Sequence, residues 1–148
     1  MHYFLIKIIH VISAAALVGG GLFLILYCLW AYTQKNTESI IHAFKLTIIM
    51  NIGLIAPCGL FQLLSGFAMI YLRTSFFTES WVVIVLTSYG LAILSWLIGI
   101  WVLGQCQQCI KNSHSKMRRY FLIWLVLCLI NIASLVVVYY FMTKPALP

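Results

Sequence analysis

The sequence predicts an all-α integral membrane protein, an antiparallel four-helix bundle with four transmembrane helices. Two observations carry this reading. Of 148 residues, 64% are hydrophobic and only 7% are charged, whereas a soluble chain carries about 25% charged residues and covers its surface with them. The apolar residues also gather into four runs, each long enough for the roughly 20-residue helix that crosses the hydrocarbon layer. Four such runs leave room for little else, so the chain reads as a single membrane domain.

The first run extends from about Tyr3 to Tyr32. Its beginning, Lys7 before an apolar stretch and then Ser13-Ala14-Ala15-Ala16, has the look of a cleavable signal. The run passes the alanines, however, and continues to Trp30, while signal cores stop after about 7 to 15 residues. A retained span is expected. The second run lies from about Leu46 to Leu72, the third from Trp81 to Leu103 and the fourth from Tyr120 to Met142. Gln34 to Lys45, Arg73 to Ser80 and Gln105 to Arg119 are the expected connections, short enough to make consecutive helices antiparallel neighbours. Pro57, with Gly53 and Gly59, predicts a kink in the second span, because proline lacks the N–H that the preceding turn needs.

Charge narrows the chemistry. The only acids are Glu38 and Glu79, both at span ends or in loops, and there is no Asp. Carboxylate relays, paired-carboxylate hydrolysis and Ser/His/Asp catalysis all need an acid at the reacting centre, so they are set aside. The same lack argues against proton- or sodium-coupled transport. The net charge of +7 sits in short segments beside apolar runs, which points to anionic lipid headgroups and not to nucleic acid. Lys35, Lys45, Lys111, Lys116, Arg118 and Arg119 occupy the first and third connections, against Lys7, Arg73 and Lys144 elsewhere. By the positive-inside rule those two connections face the cytoplasm and both termini face the outer side.

Polar residues inside the spans are the candidate functional groups. Thr47, Asn51, Cys58, Gln62, Ser65 and Met69 recur at helical spacing and form one stripe on the second span. Lipid offers an amide no partner, so Asn51 and Gln62 are expected to bond another helix, with Asn131 and Ser134 on the fourth span as candidates. On the first span Ala15, Ala16, Gly19, Gly20 and Gly21 allow close approach of a second backbone or of a flat cofactor.

His10 lies about two turns inside the first span, one turn after Lys7, whose long side chain can snorkel to the interface. An imidazole at this depth is a metal or haem ligand, a proton carrier or a hydrogen-bonded packing group. With Met69 or Met142, both expected at the same depth, it would suit haem b or a soft copper(I) site. At the other face Cys106-Gln107-Gln108-Cys109, with His114 and His42, forms a second candidate, either a Cys2His2-like metal site or a redox dithiol. Cys28, Cys58 and Cys128 read as small packing residues, and all five cysteines are expected to be reduced.

Three segments carry a family resemblance: Phe4-Leu5-Ile6-Lys7-Ile8-Ile9-His10-Val11-Ile12 with the Gly19-Gly20-Gly21 run, Pro57-Cys58-Gly59-Leu60-Phe61-Gln62-Leu63-Leu64-Ser65-Gly66, and Met142-Thr143-Lys144-Pro145. Together they resemble the bacterial predicted integral membrane proteins of domain-of-unknown-function family 2269. The resemblance spans the chain and implies four spans in the bacterial inner membrane. More distantly, a first-span histidine before a glycine turn is similar to HemJ-type protoporphyrinogen oxidases and CopD-like copper-resistance domains. The former resemblance implies a haem-ligating role for His10. The tryptophan usual near that glycine turn is replaced by Ala16 or Leu17, which counts against porphyrinogen oxidation.

Two functions of different class follow. In one, His10 ligates haem in a redox protein, the Ala/Gly face admits the macrocycle and the second-span stripe positions propionates or a quinone. In the other, the chain is a structural or accessory subunit that works as a homo-oligomer or within a larger membrane complex.

Overall fold

The structure is a computed structural model and describes residues 2–72, 80–110 and 114–143. Within these residues every element is a helix: α1 (His2–Thr33), α2 (Thr37–Met50), a π-helical turn (Asn51–Ile55), α3 (Ala56–Leu72), α4 (Ser80–Cys109) and α5 (His114–Thr143). Four stretches are long and apolar enough to cross a membrane, Phe4–Thr33, Thr37–Met69, Val82–Cys109 and Lys116–Met142. The predicted class and the four spans therefore stand. Arg73, Glu79, Lys111 and Lys144 lie outside the described residues.

The first connection is much shorter than the run from Gln34 to Lys45 suggests. Lys35 takes a left-handed conformation at φ 54, and Asn36 caps α2 by accepting a hydrogen bond from the Glu38 N–H at 3.0 Å. An Asn at this position satisfies one of the free N–H groups of the first helical turn. Glu38, His42 and Lys45 are thus helical. Their polarity marks where α2 leaves the apolar layer, not where the helix stops.

The chain divides into two compact units, Met1–Thr74 with Ile110–Asn112, and Ser75–Cys109 with Ser113–Pro148. In the first, α1 packs against α2, the π-turn and α3. Cys28 meets Thr47, Gly20 meets Ile55 and His10 meets Ser65, so advance along one segment is retreat along the other and the pair is antiparallel. Leu24, Cys28, Ala31, Ala43, Phe44 and Thr47 are buried here. In the second unit α4 pairs with α5. Ala92 meets Asn131 and Gly99 meets Trp124, again antiparallel.

The π-turn sits immediately before Pro57. Ala56 donates its N–H to the Asn51 carbonyl five residues back, and in an α-helix the next N–H would come from Pro57, which has none. The kink expected at Pro57 takes the form of this widened turn, which holds one residue more than an α-helical turn. Apolar side chains such as Leu26 (64% exposed), Leu129 (66%) and Phe61 (58%) point away from protein. In a membrane protein that surface meets lipid, which has no reason to exclude them.

Candidate functional site

Helical spacing assembles the principal cluster. His10 and Ser13 are three residues apart on α1, and Gln62, Ser65, Gly66 and Met69 share a face of α3 at intervals of three or four. The antiparallel register brings the two faces together. His10 Nδ1 lies 2.8 Å from Ser65 Oγ, and His10 Nε2 lies 2.8 Å from Gln62 Nε2. Ser13 Oγ is 2.7 Å from Gln62 Oε1 and 2.9 Å from the His10 carbonyl. His10 is buried, and a Cβ on Gly66 would rest 3.5 Å from its Cε1.

Proton counting assigns the directions. Ser65 has one hydroxyl proton, and its oxygen is 2.6 Å from the Phe61 carbonyl and 3.2 Å from that of Gln62. With the proton given to Phe61, the Ser65 oxygen accepts from His10 Nδ1–H. His10 Nε2 then accepts from the Gln62 amide N–H, and Gln62 Oε1 accepts from the Ser13 hydroxyl. Each group has a partner of the right kind. Among the described residues no buried side-chain N or O lacks one, as a low-dielectric interior demands.

Gln62 and Ser65 thus face the interior as the stripe suggests, with one correction: the partners of Gln62 are on the first span and not at Asn131 or Ser134. Asn131 instead donates to the Ala92 carbonyl at 2.7 Å, with Ser95 Oγ at 3.4 Å, fastening α4 to α5. Ser134 donates to Ile130 one turn back. Asn51 donates to the Thr47 carbonyl at 2.8 Å, beside the π-turn. Ser13 is the member that sequence reasoning passed over. Its place three residues after His10 on the same helical face was the available signal.

The other candidate ligands are placed as follows. Met69 is half-buried, one turn beyond Ser65, and Met142 is exposed on α5 in the second unit. Haem iron or copper would take an imidazole lone pair, and in this arrangement both ring nitrogens are engaged, so ligation at Nε2 requires Gln62 to move aside. Cys106 is fully buried and Cys109 half-buried near the end of α4, while His42 is exposed on α2 in the first unit. The side chain of His114 lies outside those described. Among the described residues no three His, Cys, Asp or Glu side chains gather at metal-binding distance.

Comparison with curated proteins and with solved structures finds no match. A family model described as predicted integral membrane protein (DUF2269) matches residues 4–145, nearly the whole chain. The four apolar helices and the motif around His10, Gln62 and Ser65 lie within that match, and the chain belongs to this family of predicted integral membrane proteins, DUF2269.

Proposed function

We propose that the protein is a non-catalytic accessory subunit of a bacterial inner-membrane assembly, working by lateral contact with other membrane helices or with copies of itself. The observation that supports this is the closed hydrogen-bond chain Ser13–Gln62–His10–Ser65. Its donors and acceptors match without a ligand, which is what a fastener between two spans needs. Asn131 and Ala92 serve the same purpose in the second unit. The first and third connections face the cytoplasm, where their basic residues meet anionic headgroups.

A second reading has its own supporting observation. The Ser65–Phe61 relay holds the proton on His10 Nδ1 and leaves Nε2 as the nitrogen with a lone pair, the arrangement found behind many metal-ligating histidines. With Gln62 displaced, Nε2 would serve haem b or copper(I), Met69 being the nearer of the two candidate methionines in sequence and unit.

The visible spectrum of protein purified in mild detergent from haem-replete cells separates the two. A colourless preparation before and after dithionite, free of copper by metal analysis, is the expected result. A Soret band that shifts on reduction and is lost in His10→Ala, or stoichiometric copper lost in the same variant, overturns the accessory reading in favour of the second.

A further inference from the structure

We propose that the His10 cluster is a proton-binding site inside the membrane span, built to accept a proton without opening the contact between α1 and α3. The inference rests on the geometry of the cluster and is independent of whether the protein is an accessory subunit.

In the neutral state His10 Nδ1–H donates to Ser65 Oγ and the Gln62 amide N–H donates to His10 Nε2. Adding a proton to Nε2 sets two donors against each other at 2.8 Å. A half-turn of the Gln62 amide removes the conflict. Its oxygen then accepts from Nε2–H, and its NH2 group faces Ser13 Oγ at the 2.7 Å now spanned by the oxygen. Ser13 becomes an acceptor, and its own proton turns to the His10 carbonyl, already 2.9 Å away. Ser65 keeps its role, because Nδ1–H still donates to it and its proton stays on Phe61. Amide oxygen and nitrogen are nearly the same size, so every heavy atom keeps its place while each hydrogen bond finds a partner in both states.

Two details favour this over a fastener with one state. Ser13 has two acceptors within reach for one proton, Gln62 Oε1 and the His10 carbonyl, and each state uses a different one. Ser65 is backed by a carbonyl at 2.6 Å that fixes its oxygen toward His10, so the ring offers Nε2 to the incoming proton. Within the first unit, the side chains that meet His10 carry no charge. From α3 the residues that meet His10 are Gln62, Ser65 and Gly66, none ionisable. Lys7, one turn earlier on α1, is exposed, and α2 and the π-turn meet α1 further along, at Cys28 and Gly20.

The test uses the full chain in lipid nanodiscs, with ¹⁵N-labelled histidine and with His2, His42 and His114 replaced by Gln so that only the His10 ring is observed. At pH 8.5 the expected spectrum shows a proton on Nδ1 and a bare Nε2. By pH 4.5 both nitrogens are expected to carry protons, reversibly and with an unchanged helical circular dichroism spectrum. Gln62→Met removes the group that turns, so at pH 4.5 that variant is expected either to keep Nε2 bare or to melt several degrees lower than at pH 8.5, a fall the parent does not share. Ser13→Ala, which leaves His10, Gln62 and Ser65 intact, is the milder companion and is expected to show the same trend if Gln62→Met does not fold. A His10 ring that stays neutral to pH 4.5 in the folded parent overturns the proposal, as does an imidazolium that forms in both variants with no change in melting. Either failure leaves the accessory-subunit reading standing, because that reading is decided by the visible spectrum and metal content.

Discussion

At the scale of residues, the first unit is held by few polar atoms, each of which is partnered. Within membranes an interhelical hydrogen bond contributes on average about 0.6 and at most about 1.7 kcal/mol, so a group making two of them is worth the order of their sum. His10→Ala removes the bonds to Ser65 and Gln62 together and is expected to destabilise the detergent-solubilised protein by about 1–2 kcal/mol. Gln62→Leu, which also severs Ser13, is expected to fall in the same range. Because the two substitutions break a shared bond, the double variant should lose less than the total of the singles. Thermal melting of the four species measures this, and strict additivity would show that the cluster does not act as a unit. His10, Gln62 and Ser65 were legible in the sequence because an imidazole and an amide in an apolar run stand out. Their pairing was not, because it depends on how far α1 slides along α3, and that is set by contacts elsewhere.

Those contacts belong to the scale of elements, where the π-turn lies between the Cys28 contact and the His10 cluster. Residues 51–55 hold one residue more than an α-helical turn would, and one residue is about 100° of rotation about the helix axis. The turn lies between Thr47 on α2, which reaches Cys28, and Gln62 and Ser65 on α3, which reach His10, so it sets the rotation of one contact relative to the other. Pro57→Ala restores an N–H for the Gly53 carbonyl and removes the reason for the widened turn. If the turn closes to α-helix, α3 rotates by about 100° relative to α2, and the Cys28 contact and the His10 cluster cannot both keep their present geometry. The expected outcome is faster alkylation of the buried Cys28 by a membrane-permeant maleimide, measured against the parent at the same temperature; equal rates would mean that packing alone maintains the turn. Close approach contributes at Gly20, where an added Cβ would lie 3.0 Å from Ile55 Cδ1. Gly20→Val is expected to cost about 1–3 kcal/mol, with partial recovery in Gly20→Val/Ile55→Ala, since trimming Ile55 returns the space. Pro57 announced a break in the sequence but not its form, because proline removes a bond without dictating whether the helix bends or widens.

For the molecule as a whole, the apolar composition marked the class, and the basic residues bear on sidedness. Lys116, Arg118 and Arg119 are exposed in the first turns of α5, which have no acidic residue. Positive charge at a helix N-terminus opposes the helix dipole by a few tenths of a kcal/mol or more, so helix stability gives no reason for these residues to be there. The proposed retention on the cytoplasmic side would give one, because that leaflet carries anionic lipid and basic loops resist translocation. Lys35, in the turn after α1, and Lys45, near the head of the second span, add to the same side once the chain has crossed an even number of times between the two connections. In cells expressing a variant with all five cysteines replaced, a single Cys introduced by Lys35→Cys or Arg118→Cys is therefore expected to be blocked by an impermeant maleimide only after the cells are opened. Lys7→Cys, also exposed, is expected to react in intact cells. Reversing three charges with Lys116→Glu, Arg118→Glu and Arg119→Glu removes half of the six basic residues of the first and third connections and should make the Lys35→Cys position partly accessible from outside, as chains begin to insert in both orientations. If Lys35→Cys labels fully in intact cells without that reversal, the orientation is the opposite one, and the basic start of α5 needs another cause.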